Sequence, residues 1–116
     1  MRNKDYYLLL SILETIKKIL LYTKDYNSAE DFYNSQRDFD AAMMNFIVLG
    51  ESVGKLSDDL INSNQHIDWQ KVYGFRNIVA HHYFGINVDI VWQIIQENLP
   101  ELKKNIHQII DSNSYQ

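Results

Sequence analysis

Apolar residues recur along this chain at three- and four-residue steps, the period of an α-helix buried along one face. From about Lys4 to Asp25, Leu9, Ile12, Ile16, Ile19 and Leu20 form such a stripe, with Glu14, Lys17 and Lys18 at other positions. The spacing predicts a first, amphipathic helix. Ser28-Ala29-Glu30-Asp31 resembles a capping box with Asp in the acidic place, opening a short helical piece near Phe32 and Tyr33. A third helix is predicted from near Gln36 to about Leu60, with Phe39, Met43, Phe46, Gly50, Val53, Ser57 and Leu60 on its stripe. Gly50 and Ser57 are small there, which lets a neighbouring helix approach closely. Asn62-Ser63-Asn64-Gln65 reads as a loop. Asp68 is a candidate N-cap for a fourth helix from Trp69, and Asn87 for a fifth. Val91, Ile95, Leu102, Ile106 and Ile109 share one face of that last helix, with Pro100 as a kink. Alternating β-branched residues are scarce and no internal repeat is present. The pattern predicts an all-α bundle of four to five helices.

Composition narrows the function classes. The 116 residues suit a single domain spanning 1–116. With 46% hydrophobic and 22% charged residues, the chain is globular in composition rather than disordered. There is no cysteine, so disulfides, thiol nucleophiles and thiolate metal sites are excluded. No apolar run approaches the roughly 20 residues of a membrane span. The segment Met1-Arg2-Asn3-Lys4-Asp5 and the residues after it lack the apolar core and cleavage site of a secretory signal. A soluble, cytoplasmic protein without membrane contact is therefore expected. Lys plus Arg number 11 against 15 Asp plus Glu, a net charge of -4. That sign argues against a protein that coats nucleic acid through a basic surface.

The candidate chemistry lies in Gly74-Phe75-Arg76-Asn77-Ile78-Val79-Ala80-His81-His82-Tyr83-Phe84-Gly85. At about 100° per residue, Val72, Arg76, Val79 and Tyr83 form one stripe, and Asn77 and His81 lie together on an adjacent face. An arginine on an apolar stripe must meet an anion, a carboxylate or a partner chain to offset its desolvation. Taken singly, Arg76 also fits a structural salt bridge, and His81 a surface or satisfied core position. His81-His82 is a poor metal site, because adjacent residues diverge and no Asp or Glu lies three or four positions away. Neither a serine triad nor a glycine-rich phosphate loop is present. Between Asp68 and Asp89 there is no acidic residue, while Lys71, Arg76, His81 and His82 all fall inside. This neutral-to-positive window suits one focused phosphate site in an otherwise acidic chain.

Arg76-Asn77, His81 and Tyr83 together resemble the R-x4-H-x-Y signature of HepT, the HEPN-domain toxin of MNT–HepT toxin–antitoxin pairs. Leu49-Gly50-Glu51-Ser52 with Lys55-Leu56-Ser57 is similar to the family's Gly-Glu-Ala helix segment, with Ser52 where Ala is usual. Trp69, Tyr83-Phe84-Gly85, Val91-Trp92 and Leu99-Pro100-Glu101-Leu102 extend the likeness over most of the chain. It is least specific in residues 22–38 and after His107.

The resemblance implies a HEPN-type antiparallel bundle and a metal-independent endoribonuclease that needs no cofactor. It further implies a homodimer in which the motifs of two subunits meet across a cleft. RNA carries its own nucleophile, the 2′-hydroxyl, so the protein must supply proton transfer and charge stabilisation. In that scheme His81 is the acid or base and Arg76 holds the phosphate, while Asn77 orients His81 or donates to the phosphate. Lys71 and His82 are candidate RNA contacts. Tyr83 corresponds to the tyrosine to which a cognate MNT-type nucleotidyltransferase, the antitoxin, transfers AMP. Gly50, Ser57, Ala42 and the apolar stripe of the first helix are candidate dimer contacts. Phe75, Phe84 and Trp69 suit base stacking, although core packing accounts for them better. The alternative reading is a catalytically silent HEPN adaptor, dimerisation or nucleotide-binding module.

Overall fold

Long helices form where the apolar stripes are longest. The structure, a computed structural model, describes residues 3–112. Helix α1 spans Asn3–Thr23, α3 Gln36–Gly54 and α5 Trp69–His82, with the short helices α2 (Ala29–Asn34) and α4 (Asp58–Ser63) between them. One 3₁₀ turn, Tyr83–Gly85, follows α5. A last continuous rod comprises α6 (Val88–Gln93), a π turn (Ile94–Asn98) and α7 (Leu99–Ser112). No strand occurs among the described residues, and none of their helices is long and apolar enough to cross a membrane. The molecule is the all-α bundle that the periodicity predicts.

Three of the expected caps form. Ser28 Oγ accepts from the Asp31 amide at 3.1 Å, and Asp68 from the Lys71 amide at 3.0 Å. Asn87 Oδ1 accepts from the amides of Asp89 and Ile90. Each satisfies an amide that the first helical turn leaves without an internal partner.

Two boundaries differ from expectation. The third helix stops at Gly54 instead of running to Leu60, and Ser57 is the N-cap of α4 rather than a small residue on a helix stripe. The cause lies far away in the sequence, at the start of α1. Asp5, only 1% exposed, accepts from Ser57 N at 2.9 Å and Ser57 Oγ at 2.6 Å, holding the chain in a cap geometry. Leu56 and Leu60 are buried all the same, so the apolar pattern runs through the break unchanged. The loop then begins at Asn64, whose carbonyl accepts from the Trp69 indole at 3.1 Å. Just before Pro100, where a kink is expected, the rod carries a π turn in which the Leu99 amide donates to the Ile94 carbonyl.

Helix α3 lies at the centre, between α1 and α5, and runs antiparallel to both. Ser11 meets Ser52 and Asp5 meets Ser57 along the α1 side. On the α5 side Tyr83 meets Gln36 while Arg76 crosses Gly50. A Cβ at Gly50 would lie 2.3 Å from Arg76 Cβ, and one at Gly54 2.8 Å from Tyr73 Cε1. The close approach expected at Gly50 is real, and its partner is α5 of the same chain. Ala42 and the α1 stripe (Leu9, Ile12, Ile16, Ile19) are likewise buried inside the chain. The small and apolar residues proposed to meet a second subunit are thus already occupied within one. Apolar side chains that do face outward on α3 are Met44 and Val48, one turn apart. At the far end α2 and the last rod close the core, with the Phe32 and Trp92 rings 5.6 Å apart.

Candidate functional site

Arg76 stands on the seam between α3 and α5. Its Cβ rests over Gly50, and its Nε donates to Glu51 Oε1 at 2.5 Å. Nη1 donates to Asn77 Oδ1 at 2.9 Å, and the guanidinium carbon lies 5.9 Å from the centre of the Tyr73 ring. The counter-charge required by an arginine at this position is therefore a carboxylate of the same chain. The pair is partly hydrated, with side chains 30% (Arg76) and 46% (Glu51) exposed. A guanidinium has five N–H donors, so the two bonds leave its outer edge able to take an anion.

His81 and His82 are both exposed in the last turn of α5. His81 lies five positions after Arg76, which is about 140° around the helix and about 7.5 Å along it. The two side chains of one α5 therefore leave the helix in different directions. Asn77 Oδ1 is engaged by Arg76 rather than by His81, so within this chain the amide holds the guanidinium. Lys71 is exposed on another side of α5, where it lines a shallow depression of about 130 Å³ with Asp68, Asn98 and Glu101. It does not join Arg76.

Tyr83 follows immediately in the 3₁₀ turn. Its ring packs against Phe39, and its hydroxyl donates to Asp40 Oδ1. Gln36 Nε2 donates to the same Asp40 oxygen at 2.8 Å and approaches the phenol oxygen at 3.4 Å. The first turn of α3 therefore holds the phenol in a small polar cluster at the surface.

Glu51, Asp40 and Gln36 are the neighbours that sequence reasoning missed. Their presence corrects the picture of an acid-free window around the motif, because two carboxylates reach it from α3. The one available signal was physical, since an arginine on an apolar stripe demands a carboxylate. No spacing in the sequence says which one. Of the aromatic candidates, Trp69 and Phe75 are core residues, whereas Phe84 is 99% exposed at the tip beyond the motif. Among the described residues no cluster of three or more His, Asp or Glu could hold a metal ion.

Comparison with known proteins adds a second line. The family model described as ribonuclease HepT-like matches residues 12–109. The chain is similar to "Putative RNase MJ0127" of Methanocaldococcus jannaschii, with 34% identity over 102 residues covering 88% of this chain and 84% of the relative. It is 31% identical over 98 residues to "Putative RNase MJ1380" of the same organism, covering 84% of this chain and 89% of the relative. It is 27% identical over 107 residues to "Probable ribonuclease HepT" of Thermococcus cleftensis, covering 92% and 94% respectively. No solved structure matches.

Proposed function

Because this chain belongs to the HepT-like ribonuclease family, we propose that it is a metal-independent endoribonuclease, the toxin of a cytoplasmic toxin–antitoxin pair. The observation that carries this reading is the state of Arg76. Glu51 holds its Nε and Asn77 its Nη1, which leaves Nη2 and one Nη1 proton on a helix that also exposes His81.

In the reaction, His81 takes the proton of the RNA 2′-hydroxyl, whose oxygen attacks the adjacent phosphorus. The outer edge of Arg76 meets the phosphate oxygens and stabilises the added negative charge of the pentavalent state. A second imidazole protonates the departing 5′-oxygen, leaving a 2′,3′-cyclic phosphate and a 5′-hydroxyl. One subunit is poorly arranged for all of this, because its Arg76 and His81 diverge. A homodimer that brings two α5 helices to one cleft supplies the missing group. Exposed Met44 and Val48, on the α3 face that leads to Glu51, are apolar surface that such a partner would cover.

Tyr83 is the proposed acceptor of AMP from an MNT-type nucleotidyltransferase antitoxin. The phenol oxygen would attack the α-phosphorus of ATP and release pyrophosphate, with Asp40 positioned at the phenol proton. The added phosphodiester places negative charge about two helical turns from Arg76, where it weakens the attraction of the site for RNA phosphate. One feature favours the silent-module reading instead: an arginine already paired with Glu51 needs no substrate to satisfy its charge.

RNA cleavage by the purified protein, with His81→Ala and EDTA controls, decides between the two. The expected result is cyclic-phosphate ends, no effect of EDTA, and a loss of roughly 10²–10⁴-fold in His81→Ala. An inert wild type would establish the silent module, and loss of cleavage on chelation would exclude the metal-free route. Mass spectrometry after co-expression with the nucleotidyltransferase should find AMP on Tyr83, and modification elsewhere refutes that assignment.

A further inference from the structure

We propose that Glu51 is a positioning residue, which fixes Arg76 so that the guanidinium meets a phosphate end-on through its two terminal nitrogens. The inference rests on the ribonuclease reading above. An arginine at a protein surface ordinarily samples many rotamers, and freezing it at the moment of reaction costs free energy. Here each part of the side chain has a stop. The Cβ is seated on the bare backbone of Gly50. Nε is tied to Glu51 Oε1 at 2.5 Å, Nη1 to Asn77 Oδ1 at 2.9 Å, and the plane stands near the Tyr73 ring.

The edge that Glu51 occupies decides how an anion can bind. A guanidinium offers a carboxylate or phosphate two forks, a side-on fork that includes Nε and an end-on fork formed by Nη1 and Nη2. Glu51 takes the Nε proton, which closes the side-on fork. Asn77 accepts one Nη1 proton, so the other protons of Nη1 and Nη2 form the open fork. The carboxylate also subtracts from the positive charge that draws RNA in, so Glu51 works against affinity while it works for geometry. Transition-state stabilisation depends on donors being in place before charge develops. Glu51 should therefore act on kcat more than on KM. A purely structural role is a weak explanation, because a partly hydrated ion pair adds little to stability and this one has nearly half of its carboxylate side chain in solvent.

The experiment compares wild type, Glu51→Ala and Glu51→Gln on one single-stranded RNA, with His81→Ala as the blank. Nitrogen-15 spectra of the Arg76 Nε–H group, assigned by its loss in Arg76→Lys, accompany the kinetics. Glutamine retains an oxygen that can accept from Nε without carrying charge. The proposal expects Glu51→Ala to lower kcat by about tenfold or more with KM changed less than about threefold. Glu51→Gln should recover most of kcat. The distinct Nε–H signal should persist in Glu51→Gln and collapse toward solvent-exposed values in Glu51→Ala. Unchanged or raised kcat in Glu51→Ala overturns the proposal, as does an equal loss in both variants. If wild type fails to exceed the blank, the ribonuclease reading falls. The spectra then stand alone, and an unaltered Nε–H signal in Glu51→Ala still overturns the positioning role.

Discussion

At position 50 a single methyl group decides where Arg76 can stand. Alanine is favoured over glycine within a helix by about 1 kcal/mol, so Gly50→Ala would stabilise an isolated α3. In the folded chain the new Cβ would lie 2.3 Å from Arg76 Cβ, an atom fixed by the α5 backbone that no rotamer change can remove. Helix α5 must move, and overpacking of this kind costs about 1–3 kcal/mol. We expect a net loss of up to about 2 kcal/mol in urea unfolding, accompanied by reduced RNA cleavage. Gly74, where an added methyl group would have no neighbour within 4 Å, is the control. Gly74→Ala should gain about 0.5–1 kcal/mol from propensity alone. If both substitutions behave alike, close approach is not what position 50 is for. The smallness of Gly50 was legible in the sequence as a feature of the α3 stripe. That the approaching element is α5, and the approaching residue Arg76, follows only from which helices become neighbours.

At the scale of elements, most helices were legible and one break was not. Stripes at three- and four-residue spacing, together with Ser28, Asp68 and Asn87, mark α2, α5 and the last rod, because burial periodicity and caps are local properties. The α3–α4 break is a non-local one. Ser57, the cap of α4, is held by Asp5, which lies 52 positions earlier on α1 and accepts both its amide and its hydroxyl. Asp5→Ala would leave these two donors short of a partner in a buried setting, at a cost of about 1–3 kcal/mol. Asp5→Asn, which keeps an acceptor oxygen, should cost less. Thermal unfolding gives the ranking, and hydrogen exchange should show the loss first in the amides of Leu60 and Ile61. Uniform exchange across the molecule would mean that Asp5 supports the bundle as a whole and not the start of α4.

At the scale of the whole molecule, the question is how an acidic chain engages a polyanion. The sequence window from Asp68 to Asp89 is free of acids, yet folding brings Glu51 to Arg76 and Asp40 to Tyr83 within it, and turns Lys71 toward the last rod. Local charge in the sequence therefore overstates the positive field at the site, because helix packing mixes residues far apart in the chain. What remains is a small number of directed donors, chiefly the outer edge of Arg76 and the exposed imidazoles. Counterion release makes the consequence measurable. Binding to single strands weakens with a slope of about 0.7 in log K against log salt for each phosphate neutralised. A basic coating surface would give a steep dependence. A site built on one arginine per subunit should give a slope of only about 1–2, and Arg76→Ala should lower it by about 0.7 for each site lost. Catalytically inactive His81→Ala protein, titrated with single-stranded RNA by anisotropy at increasing salt, isolates binding from cleavage. A slope several times larger, or one indifferent to Arg76, would mean that RNA is held by a surface other than the α3–α5 seam. In that event the exposed Phe84 tip and the Lys71 side of α5 become the surfaces to mutate next.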